Sequence, residues 1–206
     1  MAKSAIDVNR ISISSGNTKM GAIRSFSLPP IQTCPKNCPC AAKCYAAKIC
    51  RLRPSVRNAY QRNFEALQND PQSVFEQLDR EMKMQRYFRF HVSGDFYNYE
   101  YFSSVVELVR QNPSCNVLAF TKQFEIVNEW MEKHGALPQN FKLIFSEWGN
   151  MEVNNPNDLP QSAVIFKGTE ADHSWKICGG NCFECACRGV GCWVLQSGET
   201  IAFYEH

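Results

Sequence analysis

Nine of the eleven cysteines are packed into two short runs, and any fold of this chain must turn each run into a loop where several sulfurs can meet. The first run is Cys34, Cys38, Cys40 and Cys44; the second is Cys178, Cys182, Cys185, Cys187 and Cys192. Thiolates a few residues apart converge readily on one soft ion or an iron–sulfur cluster, whereas a disulfide framework spreads its cysteines along a short secreted chain. The first twenty residues lack an apolar core followed by a small-residue cleavage site, and no apolar stretch is long enough to span a bilayer, so a cytoplasmic protein without membrane association is expected. In a reducing compartment metal ligation is the stronger reading of both runs and disulfide pairing the weaker. Cys50 and Cys115 stand apart.

Around these runs the pattern is that of a layered α/β fold. β-branched and aromatic runs predict strands at residues 22–28, 87–93, 116–121, 141–147, 162–167 and 200–204, and amphipathic stretches predict helices at 54–69, 71–86, 99–111 and 123–134. The helix ends are marked by Pro54 and Pro71 in first turns, Asp70 and Asn98 as caps, and Gly135 as a stop. Strands alternating with helices imply a parallel sheet. Residues 149–161, rich in Asn and Pro, are the one linker-like segment.

Four successive predicted strands end in polar groups: His91, Ser93, Gly94 and Asp95, then Thr121 and Lys122, then Ser146, Glu147 and Trp148, then Lys167 and Gly168. The carboxyl ends of parallel strands are where α/β folds place their sites, which makes Asp95, Lys122, Glu147 and Lys167 candidates for orienting a ligand, with His91 as a candidate base or ligand. Along residues 87–95, strict alternation puts Phe88, Phe90 and Val92 on one face and Arg89, His91, Ser93 and Asp95 on the other. Charge is uneven as well: residues 1–64 sum to +10 and the remainder to −8, within a net +2. Lys36, Lys43, Lys48, Arg51, Arg53 and Arg57 crowd the first cysteine run, where they offset thiolate charge or receive an anionic ligand.

The first run has the spacing C-x3-C-x-C-x3-C between a predicted strand and a helix. Three of its sulfurs can hold three irons of a [4Fe–4S] cube and leave one iron open; all four can instead close a cube or bind zinc. The second run, C-x3-C-x2-C-x-C-x4-C, is threaded by four glycines that give the backbone room to wrap an ion. Five cysteines exceed one tetrahedral or cubane site, so one, Cys178 or Cys187, is spare or reaches the first run. A zinc ribbon acting as a structural cap remains the alternative.

A strand, a cysteine loop ending in Cys44-Tyr45-Ala46, a helix, and a strand ending in Ser93-Gly94-Asp95 together resemble the front half of a radical S-adenosylmethionine enzyme, although Ala41 stands where that superfamily's C-x3-C-x2-C spacing needs a cysteine. The resemblance implies a partial (β/α) barrel, a [4Fe–4S] cluster on cysteines of the first run, and S-adenosylmethionine held at the turn of Ser93, Gly94 and Asp95. The second run is similar to auxiliary-cluster modules of some such enzymes. Most of the chain resembles the gene product eighty-eight family of phages and bacteria. Its matching residues are Lys19-Met20-Gly21, Ser25-Phe26-Ser27-Leu28-Pro29, Thr33-Cys34-Pro35 through Cys40 to Cys44-Tyr45-Ala46, His91-Val92-Ser93-Gly94-Asp95-Phe96, and Cys185 through Cys192-Trp193.

The expectation is therefore a partial (β/α) barrel of about six mainly parallel strands over residues 1–170, with a cysteine-rich metal-binding segment, 171–206, packed on it. It would carry one [4Fe–4S] cluster on the first run and a second cluster or metal on the last, and run a redox or radical reaction fed by an electron donor. The competing expectation is a zinc- or cluster-stapled binding protein that grips nucleic acid or a partner through Arg51, Arg53 and Arg57 with Tyr45, Tyr60 and Phe64.

Overall fold

The computed structural model describes residues 10–149 and 151–205. Eight strands form one sheet: β1 (Ile13–Ser14), β2 (Arg24–Phe26), β3 (Tyr87–Phe90), β4 (Asn116–Thr121), β5 (Phe141–Ser146), β6 (Gln161–Ile165), β7 (Lys176–Ile177) and β8 (Thr200–Tyr204). Their order is β1-β2-β3-β4-β5-β6-β8-β7, antiparallel only between β1 and β2. The six helices are α1 (Tyr45–Leu52), α2 (Pro54–Asn69), α3 (Pro71–Met82), α4 (Tyr99–Gln111), α5 (Phe124–His134) and α6 (Cys182–Arg188). Among the described residues no helix is long and apolar enough to cross a membrane.

The sequence signals explain the helices. Asp70 accepts the Ser73 N–H and Asn98 the Tyr101 N–H, so each short polar side chain satisfies a donor the helix start leaves open. The apolar faces of α2 to α5 pack on one side of the sheet, against Phe26, Phe88, Phe90, Val117, Ala119, Phe141, Leu143 and Phe145. Each fully buried phenylalanine contributes about 1.5–3 kcal/mol relative to exposure, which makes this face the main stabilising layer.

Strand order then decides where the second cysteine run goes. Steps from β2 to β6 advance in one direction, and right-handed crossovers put their helices on one face. From β7 to β8 the order reverses, so a crossover of the same hand lies on the opposite face. That connection carries α6 and the cysteines. It covers Leu118, Ile144 and Ile201 with Cys192 and Leu195, and Met20 and Ile23 with Ala186.

All six predicted strands and four predicted helices are present; 116–121, 200–204, 54–69 and 99–111 keep their expected bounds, β6 starts one residue early and ends two early, and the others are shortened. The strand expected over 87–93 stops at Phe90 because His91 takes a left-handed backbone, φ 58°. The helix expected over 71–86 stops at Met82, where the Lys83 N–H turns back to Asp79 and Glu81. β7 and β8, which fall after residue 170, belong to the same sheet as the strands before it.

Candidate functional site

The first cysteine run hangs over the carboxyl end of β2 and is pinned to the turn after β3. Thr33 Oγ1 donates to the Pro29 carbonyl (2.7 Å) and accepts the Asp95 N–H (3.3 Å), while the Leu28 N–H donates to the Ser93 carbonyl (3.0 Å). Gly94 sits at this crossing with φ 78°, so close that a Cβ there would lie 2.5 Å from Thr33 Oγ1. Within the loop, Cys38 Sγ and Cys40 Sγ are 3.0 Å apart, and a 3-10 turn over Ala41–Lys43 leads through Cys44 into α1.

The chemistry of this loop is set by its neighbours. Cys38 and Cys40 share a hydrogen bond that lowers the Cys38 pKa to about 6 and raises that of Cys40, so one thiolate of the pair is favoured. Burial pushes Cys34 up to about 12, reinforced by the Asp95 carboxylate and by Cys38 and Cys44. Lys122 lies within electrostatic reach of Cys38 and Cys40 and donates its Nζ to Ser146 Oγ (2.6 Å). Asp95 is 5% exposed, and burial raises its pKa against three hydrogen bonds received from Thr121 Oγ1 (2.6 Å), Lys122 N (2.8 Å) and Phe96 N (2.8 Å). Its two oxygens are thus spent on tying β3 to β4, which makes Asp95 a positioning residue.

The second run lies on the face of the sheet opposite α2 to α5, together with α6. Cys178 donates its N–H to the Ala202 carbonyl, Cys182 to that of Lys19, and Trp193 Nε1 donates to the Cys182 carbonyl (3.0 Å). Cys178, Cys182, Cys185 and Cys192 line one small cavity, whereas Cys187 is exposed on the outer side of α6. Burial pushes Cys192 up to about 12, with the other three thiols of the cavity adding to the rise and Arg89 opposing it.

Two residues link the runs. Tyr45 donates its hydroxyl to the Val92 carbonyl, and that hydroxyl interacts with Cys34, Cys44, Cys182 and Arg89; its burial raises the pKa. Arg89 points an N–H at Met20 Sδ (3.2 Å) and at Cys182 Sγ (3.5 Å) and lies over the Phe120 ring, with its buried Nε left without a partner among the described residues. No carboxylate pairs with it among the described residues.

The remaining candidates divide. Ser93 is buried at the strand end and its Oγ has no partner among the described residues. Glu147 follows β5 half-buried, with its pKa raised by burial. His91 is carried by its left-handed turn to the helix side, where Nε2 meets the Tyr101 hydroxyl (3.0 Å), the ring packs edge-on against Phe96 and burial depresses its pKa to about 3. It is therefore apart from both thiol groups. Lys167 is exposed, its backbone N–H bonded to Glu205, and is not brought to Asp95 and Lys122. Ser146 and Thr33 were noted in sequence, one at a polar strand end and one in the family pattern, but neither was made a site candidate; Arg89 had a signal, a charge in the middle of an aromatic strand.

All eleven cysteines are unbridged, and among the described residues no group of three or more His, Cys, Asp or Glu side chains is placed to hold a metal ion. The fold brings Cys178, Cys182, Cys185 and Cys192 to one cavity and keeps Cys34, Cys38, Cys40 and Cys44 in one loop. The family model described as Gene product 88 matches residues 5–196. Over 145 residues the chain is 29% identical to the Gene 88 protein of Mycobacterium phage L5 and 27% identical to that of Mycobacterium phage D29, each match covering 64% of this chain and 59% of the relative. No solved structure matches. With the family pattern running along nearly its whole length, the chain belongs to the Gene product 88 family.

Proposed function

We propose that this is an iron–sulfur protein of radical S-adenosylmethionine-like layout, with a [4Fe–4S] cluster on the first cysteine run, metal on the second, and a redox or radical reaction at the strand ends. The observation that carries the reading is that Cys34, Cys38 and Cys40 lie within electrostatic reach of Asp95 or Lys122 at the carboxyl ends of β3 and β4, with Cys44 beside Cys34 and Cys40. Sequential parallel strands with helices on one face support a partial (β/α) barrel, and unbridged cysteines fit a reducing compartment.

A bound cluster would supply one-electron reduction at this point. The chain's own groups do the rest. Lys122 offsets thiolate charge at Cys38 and Cys40, Asp95 holds the β3 and β4 ends in register, and Ser93 Oγ with Gly94 and Glu147 offers hydrogen-bonding groups to S-adenosylmethionine or substrate. Lys36, Lys48, Arg51, Arg53 and Arg57 are exposed around the loop and form no ion pair among the described residues, a surface suited to an acidic electron donor. The same cations support the second reading, a metal-stapled nucleic-acid binder; polynucleotide binding that weakens steeply with salt, in protein lacking any cluster, would favour it.

The test is iron and acid-labile sulfide per chain after anaerobic purification and reconstitution. About four of each are expected, falling sharply in Cys34→Ser, Cys40→Ser and Cys44→Ser. Reconstituted protein without iron, or iron unchanged by all three substitutions, overturns the cluster assignment.

A further inference from the structure

We infer that Cys178, Cys182, Cys185 and Cys192 form a four-thiolate site for a single zinc ion, and that Cys187 has no part in it. The inference deepens the reading above and rests on its claim that the second run holds metal; it does not depend on what the first run binds.

The ligand set follows from helix geometry and from the cavity. On α6, Cys182 and Cys185 are three residues apart and share a face, while Cys187 stands roughly 140° from Cys182 and roughly 160° from Cys185 around the axis. The inward pair meets Cys178, which enters from the end of β7, and Cys192, which enters from the 3-10 turn over Gly191–Val194. Cys187 is exposed on the far side. The resulting spacing is C-x3-C-x2-C-x6-C, with two arms on a helix and one on each flanking segment.

The lining suggests the occupant: Cys178, Cys182, Cys185 and Cys192 face one small cavity, and four sulfurs match the four arms of a tetrahedral zinc. The backbone closes in on it: at Gly191, with φ 65°, a Cβ would lie 3.4 Å from Cys185 Sγ, and at Gly179 3.7 Å. Trp193 walls one side and is itself fixed edge-on against Tyr87. Zinc takes four thiolates tetrahedrally with no redox demand on the site. Four thiols release their protons on binding, which leaves a tetrathiolate zinc centre at −2. Arg89, lacking a carboxylate partner, aims an N–H at Cys182 Sγ (3.5 Å) and places its charge beside that centre. A donor to a ligating sulfur holds the ligand's orientation and lowers the charge it carries.

The experiment measures zinc, iron and sulfide per chain in the full-length protein, wild type and with Cys185→Ser or Cys187→Ser. One zinc per chain is expected in the wild type and in Cys187→Ser, and a loss of about ten-fold or more in Cys185→Ser, with iron unaffected. To separate ligand loss from misfolding of Cys185→Ser, the wild type is also alkylated and mapped by mass spectrometry: Cys187 should label at once, and the other four only after a zinc chelator is added. Iron absent throughout with zinc present would remove the cluster from the first run and leave this site standing. Absence of zinc from the wild type, loss of zinc in Cys187→Ser, or loss of iron and sulfide in Cys185→Ser would overturn it.

Discussion

Gly94→Ala is the sharpest single perturbation of the junction between the cysteine loop and the sheet. A Cβ at Gly94 would lie 2.5 Å from Thr33 Oγ1, 2.7 Å from Leu28 Cβ and 2.9 Å from the Leu28 carbonyl oxygen. None of these can retreat cheaply. Leu28 is fully buried and its N–H is held by Ser93, while Thr33 Oγ1 is held by Pro29 at 2.7 Å. A left-handed alanine costs roughly 1–2 kcal/mol, and forcing extra volume into a packed site adds about 1–3 kcal/mol. The expected loss is therefore about 2–5 kcal/mol, a large share of the 5–15 kcal/mol typical of a domain. Gly168→Ala is the matched control: φ there is 83°, but nothing lies within 4 Å of the added carbon, so only the backbone cost applies. Urea unfolding of the two variants under identical metal loading separates crowding from conformation. If Gly94→Ala lies within about 0.5 kcal/mol of Gly168→Ala, the close approach of loop and strand end is wrong.

Other consequences follow from the same contacts. Asp95→Ala orphans the Thr121 hydroxyl and the Lys122 and Phe96 N–H groups, at about 1–3 kcal/mol for each buried donor left unpaired; a loss under 1 kcal/mol in urea unfolding would deny Asp95 its positioning role. His91, with a folded pKa near 3 against 6.5 in the unfolded chain, costs nothing above pH 6.5; below it only the unfolded state takes the proton, so stability falls by about 1.4 kcal/mol per pH unit down to pH 3. His91→Asn, which tolerates the left-handed backbone, should flatten that part of the stability–pH curve, and an unchanged slope would count against the buried neutral imidazole. Cys50→Ser and Cys115→Ser should leave iron and zinc per chain unchanged, since Cys115 belongs to the core behind β4 and Cys50 to the buried side of α1; a fall in either metal would enlarge the ligand sets.

The layered fold was legible because apolar spacing and helix caps are local signals: Asp70 and Asn98 cap as their types suggest, and the six strands appear where β-branched and aromatic residues gather. The face of the second cysteine run was not. It depends on β7, two residues long, adding outside β8, and a two-residue edge strand has no periodicity to read. Strict alternation also misplaced His91, because it assumes extended backbone where φ is 58°. The polar strand ends did lead to Asp95 and Lys122, but they did not show that the carboxylate is consumed by hydrogen bonds or that Lys167 faces solvent. α1 and α6 escaped notice because, at eight and seven residues, they span about two turns, too few to establish the apolar repeat by which helices are recognised.

The central claim, a cluster over the strand ends with an iron open to a ligand, is tested most directly by the electron paramagnetic resonance spectrum of the anaerobically reconstituted, reduced protein with and without S-adenosylmethionine. The account predicts a reduced-cluster signal that shifts when the compound is added and disappears in Cys40→Ser. A cluster signal indifferent to S-adenosylmethionine, or one that survives Cys40→Ser, would contradict it.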